Sequence, residues 1–172
     1  MLVVDADEAA CWALLDSGDW AAANARFAAV LAREPDSLGA AQGLVATLRK
    51  QRDFDAAARV LDAALRRHPD ALGLLAERVW CALDQKRDAE ASTRLDEIIA
   101  TGRADEGHYL WKVELLRRER RFEEAEAMIS LARARLPGAT RLNTESAWLS
   151  FHRRDHEEAL RRFEEVLKSR PG

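Results

Sequence analysis

The chain is poor in the features that reactive, secreted or membrane-embedded proteins draw on. Cys11 and Cys81 are its only cysteines, and the longest unbroken apolar run, Ala9 to Leu15, is far too short to cross a bilayer. The opening MLVVDADEAA holds three acids by residue 8 and no basic segment, which argues against a secretory leader. Basic residues are not in excess: 27 Lys and Arg stand against 30 Asp and Glu, for a net charge of -3 and a pI near 5.9. A general electrostatic pull toward nucleic acid is therefore missing. Gly39-Ala40-Ala41-Gln42-Gly43 lies within a helical stretch and lacks the Gly-Lys-Ser/Thr of a phosphate-cradling loop.

Histidines offer no metal or catalytic arrangement. His152 and His156 are four residues apart, but a helix break predicted at Arg153-Arg154-Asp155 separates them. His156-Glu157-Glu158 lacks the second histidine of a zinc-protease helix. His68 precedes Pro69 in a turn and His108 opens a helix, so both are expected at the surface. No acid/base or nucleophile pair recurs in usable geometry, so the chain is expected to be no enzyme, with no catalytic residue, metal or cofactor.

What the chain has instead is a period. Ala23, Ala57, Ala91, Ala125 and Ala159 fall 34 residues apart, and Phe27, Leu61, Leu95, Ile129 and Phe163 follow four residues later on the same step. Pro35, Pro69, Pro137 and Pro171 obey it too, with Arg103 where a fifth would stand. The units run at about 4–37, 38–71, 72–105, 106–139 and 140–172, a single array with no linker or second domain. Hydrophobic content is 48% with only 6% aromatic, which suits close-packed helices.

Each unit reads as two amphipathic helices with short joins, beginning with Ala6 to Ser17 and Trp20 to Arg33. Asp5-Ala6-Asp7-Glu8 has the pattern of a capping box. Gly18 is placed to take positive φ after the first helix, and Asp19 to cap the second. Glu34-Pro35 then closes the unit, and Gly102 takes over that role in the third. The recurring alanine marks a close helix crossing that only a small side chain fits, and the large residue one turn on fills the space beside it. If layers stack at roughly 10 Å, Cys11 and Cys81 lie roughly 20 Å apart, beyond disulfide reach, and read as buried thiols in a reducing cytoplasm.

Gly18-Asp19-Trp20-Ala21-Ala22-Ala23 with Phe27, Leu31 and Pro35 resembles the second half of a tetratricopeptide repeat. Arg52-Asp53-Phe54 with Ala57, Leu61, Leu65 and Pro69 resembles it as well, as do Arg121-Phe122 with Ala125, Ile129 and Pro137, and Asp155-His156 with Ala159, Phe163 and Pro171. First helices depart from the family pattern: fourth places hold Asp7, Ala41, Leu75, Tyr109 and Asn143 instead of tryptophan. The resemblance implies an all-α, right-handed superhelical solenoid of stacked antiparallel helix pairs, with a concave groove lined by first helices. Its groove places are the second, fifth, sixth, ninth, twelfth and thirteenth of each unit.

At those places a second period of 68 residues emerges. Trp12, Trp80 and Trp148 share the ninth place, and Leu15, Leu83 and Phe151 the twelfth; the intervening units carry Arg49-Lys50 and Arg117-Arg118, with Trp111 nearby. Two readings stand for these tryptophans: they anchor a ligand, or they pack between neighbouring first helices as core. The basic pairs are either ligand contacts or a solvated, acid-paired face, since Asp16, Glu77, Asp84, Glu114 and Glu145 enter the same surface. Gly39, Gly73 and Gly107 share the second place and allow either close ligand approach or a permissive first turn. The lysine and asparagine clamp of chaperone-binding relatives is not present.

The final unit has no covering helix after it, so Ala159, Phe163, Val166 and Leu167 are expected to offer an apolar stripe through which two copies could meet. The expectation is thus a cytoplasmic interaction module that binds a protein or peptide in its groove and does not bind nucleic acid or membrane. The alternative is an oligomerisation or regulatory segment of a larger protein, with the groove empty.

Overall fold

The computed structural model describes residues 6–169, with side chains from residue 9, so the expected capping box at Asp5 to Glu8 and the end at Pro171 lie outside the described residues. The described residues form ten α-helices and no strand: α1 (Ala6–Asp16), α2 (Trp20–Arg33), α3 (Leu38–Lys50), α4 (Phe54–Arg67), α5 (Leu72–Asp84), α6 (Asp88–Ala100), α7 (Glu106–Arg118), α8 (Phe122–Arg135), α9 (Arg141–His152) and α10 (His156–Lys168). They fall into two compact units, Met1–Arg94 and Leu95–Gly172. In the first, α3 packs on α1, α2, α4 and α5; in the second, α9 packs on α7, α8 and α10.

Every helix pair is joined by the same turn. Gly18 N–H bonds Leu15 O and Asp19 N–H bonds Leu14 O, at 3.1 and 3.0 Å, a Schellman motif. It recurs at Arg52-Asp53, Lys86-Arg87, Arg120-Arg121 and Arg154-Asp155, each 34 residues on. Gly18 takes φ 84° there as expected, but the other four copies place a long side chain in the left-handed region, at φ 61°, 58°, 60° and 67°. That region costs a non-glycine residue about 1–2 kcal/mol. The hairpin geometry imposes it. Asp19, Asp53 and Asp155 then cap the second helices by accepting from Ala22, Ala56 and Glu158 N–H.

Between units the chain turns on proline. Glu34 O accepts from Ser37 N–H at 3.0 Å, His68 O from Ala71 at 3.1 Å and Leu136 O from Ala139 at 3.0 Å, each around a proline in the second position. Gly102 (φ 71°) ends the third unit instead. All five period alanines are buried. The tip of the Phe27 ring meets α3 at Gly43, which has no Cβ to block it; an added Cβ would fall 2.2 Å from the ring Cζ. A charged rung also repeats: Arg78 pairs with Asp62 at 3.3 Å and buried Lys112 with Asp96 at 2.7 Å, again 34 residues on.

Two surface expectations change. His108 is not an open surface residue: its side chain keeps 13% of its exposure, because its Nδ1 and backbone N–H complete a capping box with Asp105. Nor is the α10 stripe as drawn. Ala159 is buried and Phe163 and Val166 half-buried, whereas Leu167 and the unanticipated Leu160 are exposed.

Candidate functional site

The candidate residues sit on the first helix of each pair. In the first unit, Trp12 stands edge-on to Phe27, centroids 5.3 Å apart, and Leu15 packs on the same core cluster. Both remain half-buried. Trp80 and Leu83 on α5 are half-buried, and Lys50 on α3 is exposed.

Arg49 is not a bare cation. Its Nη1 lies 2.5 Å from Asp84 Oδ2 and its Nε 3.4 Å from Glu77 Oε2, both on α5. No acid lies one turn back on its own helix, so the pair is made between neighbouring repeats of the same compact unit. Burial pushes the Glu77 carboxyl above its ordinary value despite the nearby Arg49. Cys81, beside them, is raised to about 11 by burial, reinforced by Glu77, so it is a protonated thiol at neutral pH and a poor nucleophile. Gly73 at the second place leaves room for Gln42: an added Cβ would meet its amide at 1.9 Å.

In the second unit part of this arrangement returns 68 residues later, with His152 for Asp84 and Glu114 for Ala46. Arg117 Nη1 lies 2.5 Å from His152 Nε2, the places held earlier by Arg49 and Asp84. Glu145 occupies the place of Glu77, and burial likewise raises its carboxyl. Glu114 accepts from Arg117 Nε at 3.1 Å and from Arg118 Nε at 2.8 Å. Burial alone would raise Glu114, but these two guanidinium groups outweigh it and hold the carboxyl below its ordinary value. Trp111 is half-buried.

Trp148 and Phe151 differ from their counterparts, being 43% and 44% exposed. They meet edge-to-face at 5.8 Å; Trp148 also stands on Phe163 at 5.2 Å, and Phe151 near His156 at 5.5 Å. His152 closes α9 and His156 opens α10, so the two are not one turn apart on a helix. Among the described residues no group of three metal-ligating side chains gathers, and no helix is long and apolar enough to cross a membrane. The ion pairs of Arg49 had a legible signal, since separations of 28 and 35 residues put both acids on the next first helix. Leu160 had none, because its equivalents are Asn24, Ala58, Ser92 and Glu126.

A family model described as tetratricopeptide repeat matches residues 14–76 and 48–111, together more than half of the 172-residue chain. Among solved structures, the chain is similar to PilF of Pseudomonas aeruginosa (TM-score 0.75, 17% identity, 98% of this chain and 77% of that one). It is also similar to MamA of Desulfovibrio magneticus RS-1 (TM-score 0.72, 17% identity, 94% and 92% covered). A tetratricopeptide repeat protein of Parabacteroides merdae matches at TM-score 0.70 and 14% identity, over 96% of this chain and 65% of that one. At such identities the likeness shows the fold alone. No curated protein matches in sequence.

Proposed function

Because the chain belongs to the tetratricopeptide repeat family, we propose that it is a non-enzymatic protein-interaction module whose first-helix faces dock a peptide or partner segment. The observation that carries this reading is the pair Trp148 and Phe151, large rings left more than two-fifths in solvent. Tryptophan and arginine dominate interface energies, and Arg117 reaches this cluster through His152. Trp80, Leu83 and Lys50 are the corresponding residues of the first unit. Trp111 and Arg118 serve the second.

Charge sets the kind of segment bound. Arg49 is engaged by Asp84, and Arg117 and Arg118 by Glu114, so a ligand needs no row of acids to neutralise them. Large apolar side chains are the better match. Cys11 and Cys81, both buried and in no disulfide, suit the reducing cytoplasm proposed as its compartment. Panning a random peptide library on the full chain tests the reading. A Trp148→Ser/Phe151→Ser variant with unchanged circular dichroism should lose the selected peptides by about 30-fold in affinity, as for the loss of a hot spot. Equal affinity for the same peptides would end the proposal.

A second reading, self-association as an oligomerisation segment, is favoured by Leu160 and Leu167, 62% and 69% exposed seven residues apart on α10. Sedimentation velocity should then show a dimer that Leu160→Glu/Leu167→Glu converts to monomer. Phe163→Glu is a poorer probe, because it also disrupts the Trp148 contact. A wild-type chain that stays monomeric at high concentration would exclude this reading.

A further inference from the structure

Successive units meet at a slot whose occupants are set by the period. On the second helix it presents Leu31, Leu65, Ile99 and then Arg133; on the next first helix it presents Ala41, Leu75, Tyr109 and then Asn143. Leu65, Ile99 and Tyr109 are all buried. Three junctions therefore close with an aliphatic residue here, and the fourth sets an arginine against an asparagine. The charged rung breaks at the same junction: where Asp62–Arg78 and Asp96–Lys112 stand, Ser130 and Ser146 replace both partners. Polar residues at positions that the rest of an array fills with core are departures to be explained by function.

The result is a cleft of about 470 Å³ between α8, α9 and α10, lined by Arg133, Asn143, Ser146, Arg161, Arg162 and Glu165 among others. That is a volume typical of small-ligand sites. Two of its arginines are already answered. Arg161 pairs with Glu158 at 2.6 Å and Glu165 at 2.5 Å, and Arg162 with Glu158 at 2.6 Å and Glu126 at 3.0 Å. Arg162 also donates to Ser146 O at 3.2 Å and to its Oγ. The Arg133 guanidinium and the Asn143 carboxamide have no hydrogen-bond or ion-pair partner among the described residues. One uncompensated positive charge and a neutral amide donor thus face the same space.

We propose that this cleft binds a carboxylate, with the Arg133 fork taking both oxygens and the Asn143 amide donating beside it. A guanidinium matches a carboxylate in charge and in planar bidentate geometry. Three glutamates already balance Arg161 and Arg162, so a single negative charge fits better than a phosphate dianion. Either a free organic acid or an acidic side chain of a partner peptide supplies the group. This site shares no residue with the first-helix face proposed above.

Titrating the full ¹⁵N-labelled chain with succinate, with a capped glutamate tripeptide and with inorganic phosphate tests it, following the Asn143 carboxamide and Arg133 Nε–H signals. Saturable shifts with succinate or the tripeptide are expected, and the tighter of the two identifies the source. Phosphate should bind about 10-fold more weakly. Arg133→Leu restores the residue type of the other junctions, so it should keep the fold and raise the melting temperature while weakening binding by at least about 10-fold. No saturable shift with any of the three probes overturns the proposal. So does phosphate binding as tightly as the carboxylates, or a shift that Arg133→Leu leaves unchanged.

Discussion

Lys86→Gly should stabilise this protein although it removes an exposed side chain and adds no contact. Lys86 holds φ 58° at the turn that Gly18 makes at φ 84° in the first pair, with Lys86 N–H bonded to Leu83 O at 2.9 Å as Gly18 N–H is to Leu15 O at 3.1 Å. Left-handed φ costs a non-glycine residue about 1–2 kcal/mol. Glycine returns about 0.5–1 kcal/mol of that through its greater freedom when unfolded. The central values leave a net gain of about 0.75 kcal/mol, at about 2–4 °C in melting temperature per kcal/mol for a chain of this size. Arg154→Gly should behave alike. Arg52→Gly should gain less, because Arg52 lies 5.3 Å from the Phe54 ring centroid and that cation–π contact contributes about 0.5–1 kcal/mol. The converse probe is Gly18→Ala. No atom lies within 4 Å of the added Cβ, so its expected loss of about 1 kcal/mol measures φ alone. Urea unfolding with an unchanged slope is the assay. A neutral or destabilising Lys86→Gly, or a harmless Gly18→Ala, would refute the account of the turn.

Gly43→Ala should destabilise by about 1–3 kcal/mol through overpacking, since its methyl meets the buried Phe27 ring; a Phe27→Leu background should recover part of the loss in the same urea assay. The carboxyls should titrate in opposite directions. Hydrogen bonds from Arg161 and Arg162 bring Glu158 down to about 2, so its contribution to stability is complete above the ordinary glutamate value and is lost as pH falls toward 2. Burial raises Glu77 and Glu145, so their contribution is present at low pH and lost as pH rises through their elevated values. Carboxyl ¹³C NMR should place Glu158 below, and Glu77 and Glu145 above, an exposed glutamate; coincident midpoints would contradict the pairing described.

The two Arg-centred contacts show what the 68-residue period does. Arg49 meets a carboxylate at Asp84, and Arg117 meets an imidazole at His152 while Glu114 on its own helix answers its charge. Both first-helix faces end with their central arginine neutralised, by different routes. The basic pairs alone suggest an acid-seeking surface; Asp84 on the next first helix and Glu114 on the same helix remove that preference.

The sequence by itself determined the helix pairs, their spacing, the proline turns, the aspartate caps and the buried alanines. Each of these depends on residues a few places apart, so a one-dimensional pattern carries it. Tertiary structure alone decided burial and pairing, which depend on what a neighbouring helix lays over a side chain. Trp12 and Trp148 hold the same place in the period and each meets an aromatic ring fifteen residues on, Phe27 and Phe163, edge-on, yet Trp12 is half-buried and Trp148 stands 43% exposed. The left-handed arginines and lysine were equally hidden, because no local preference calls for them; packing each helix against its partner forces that turn whatever side chain stands there.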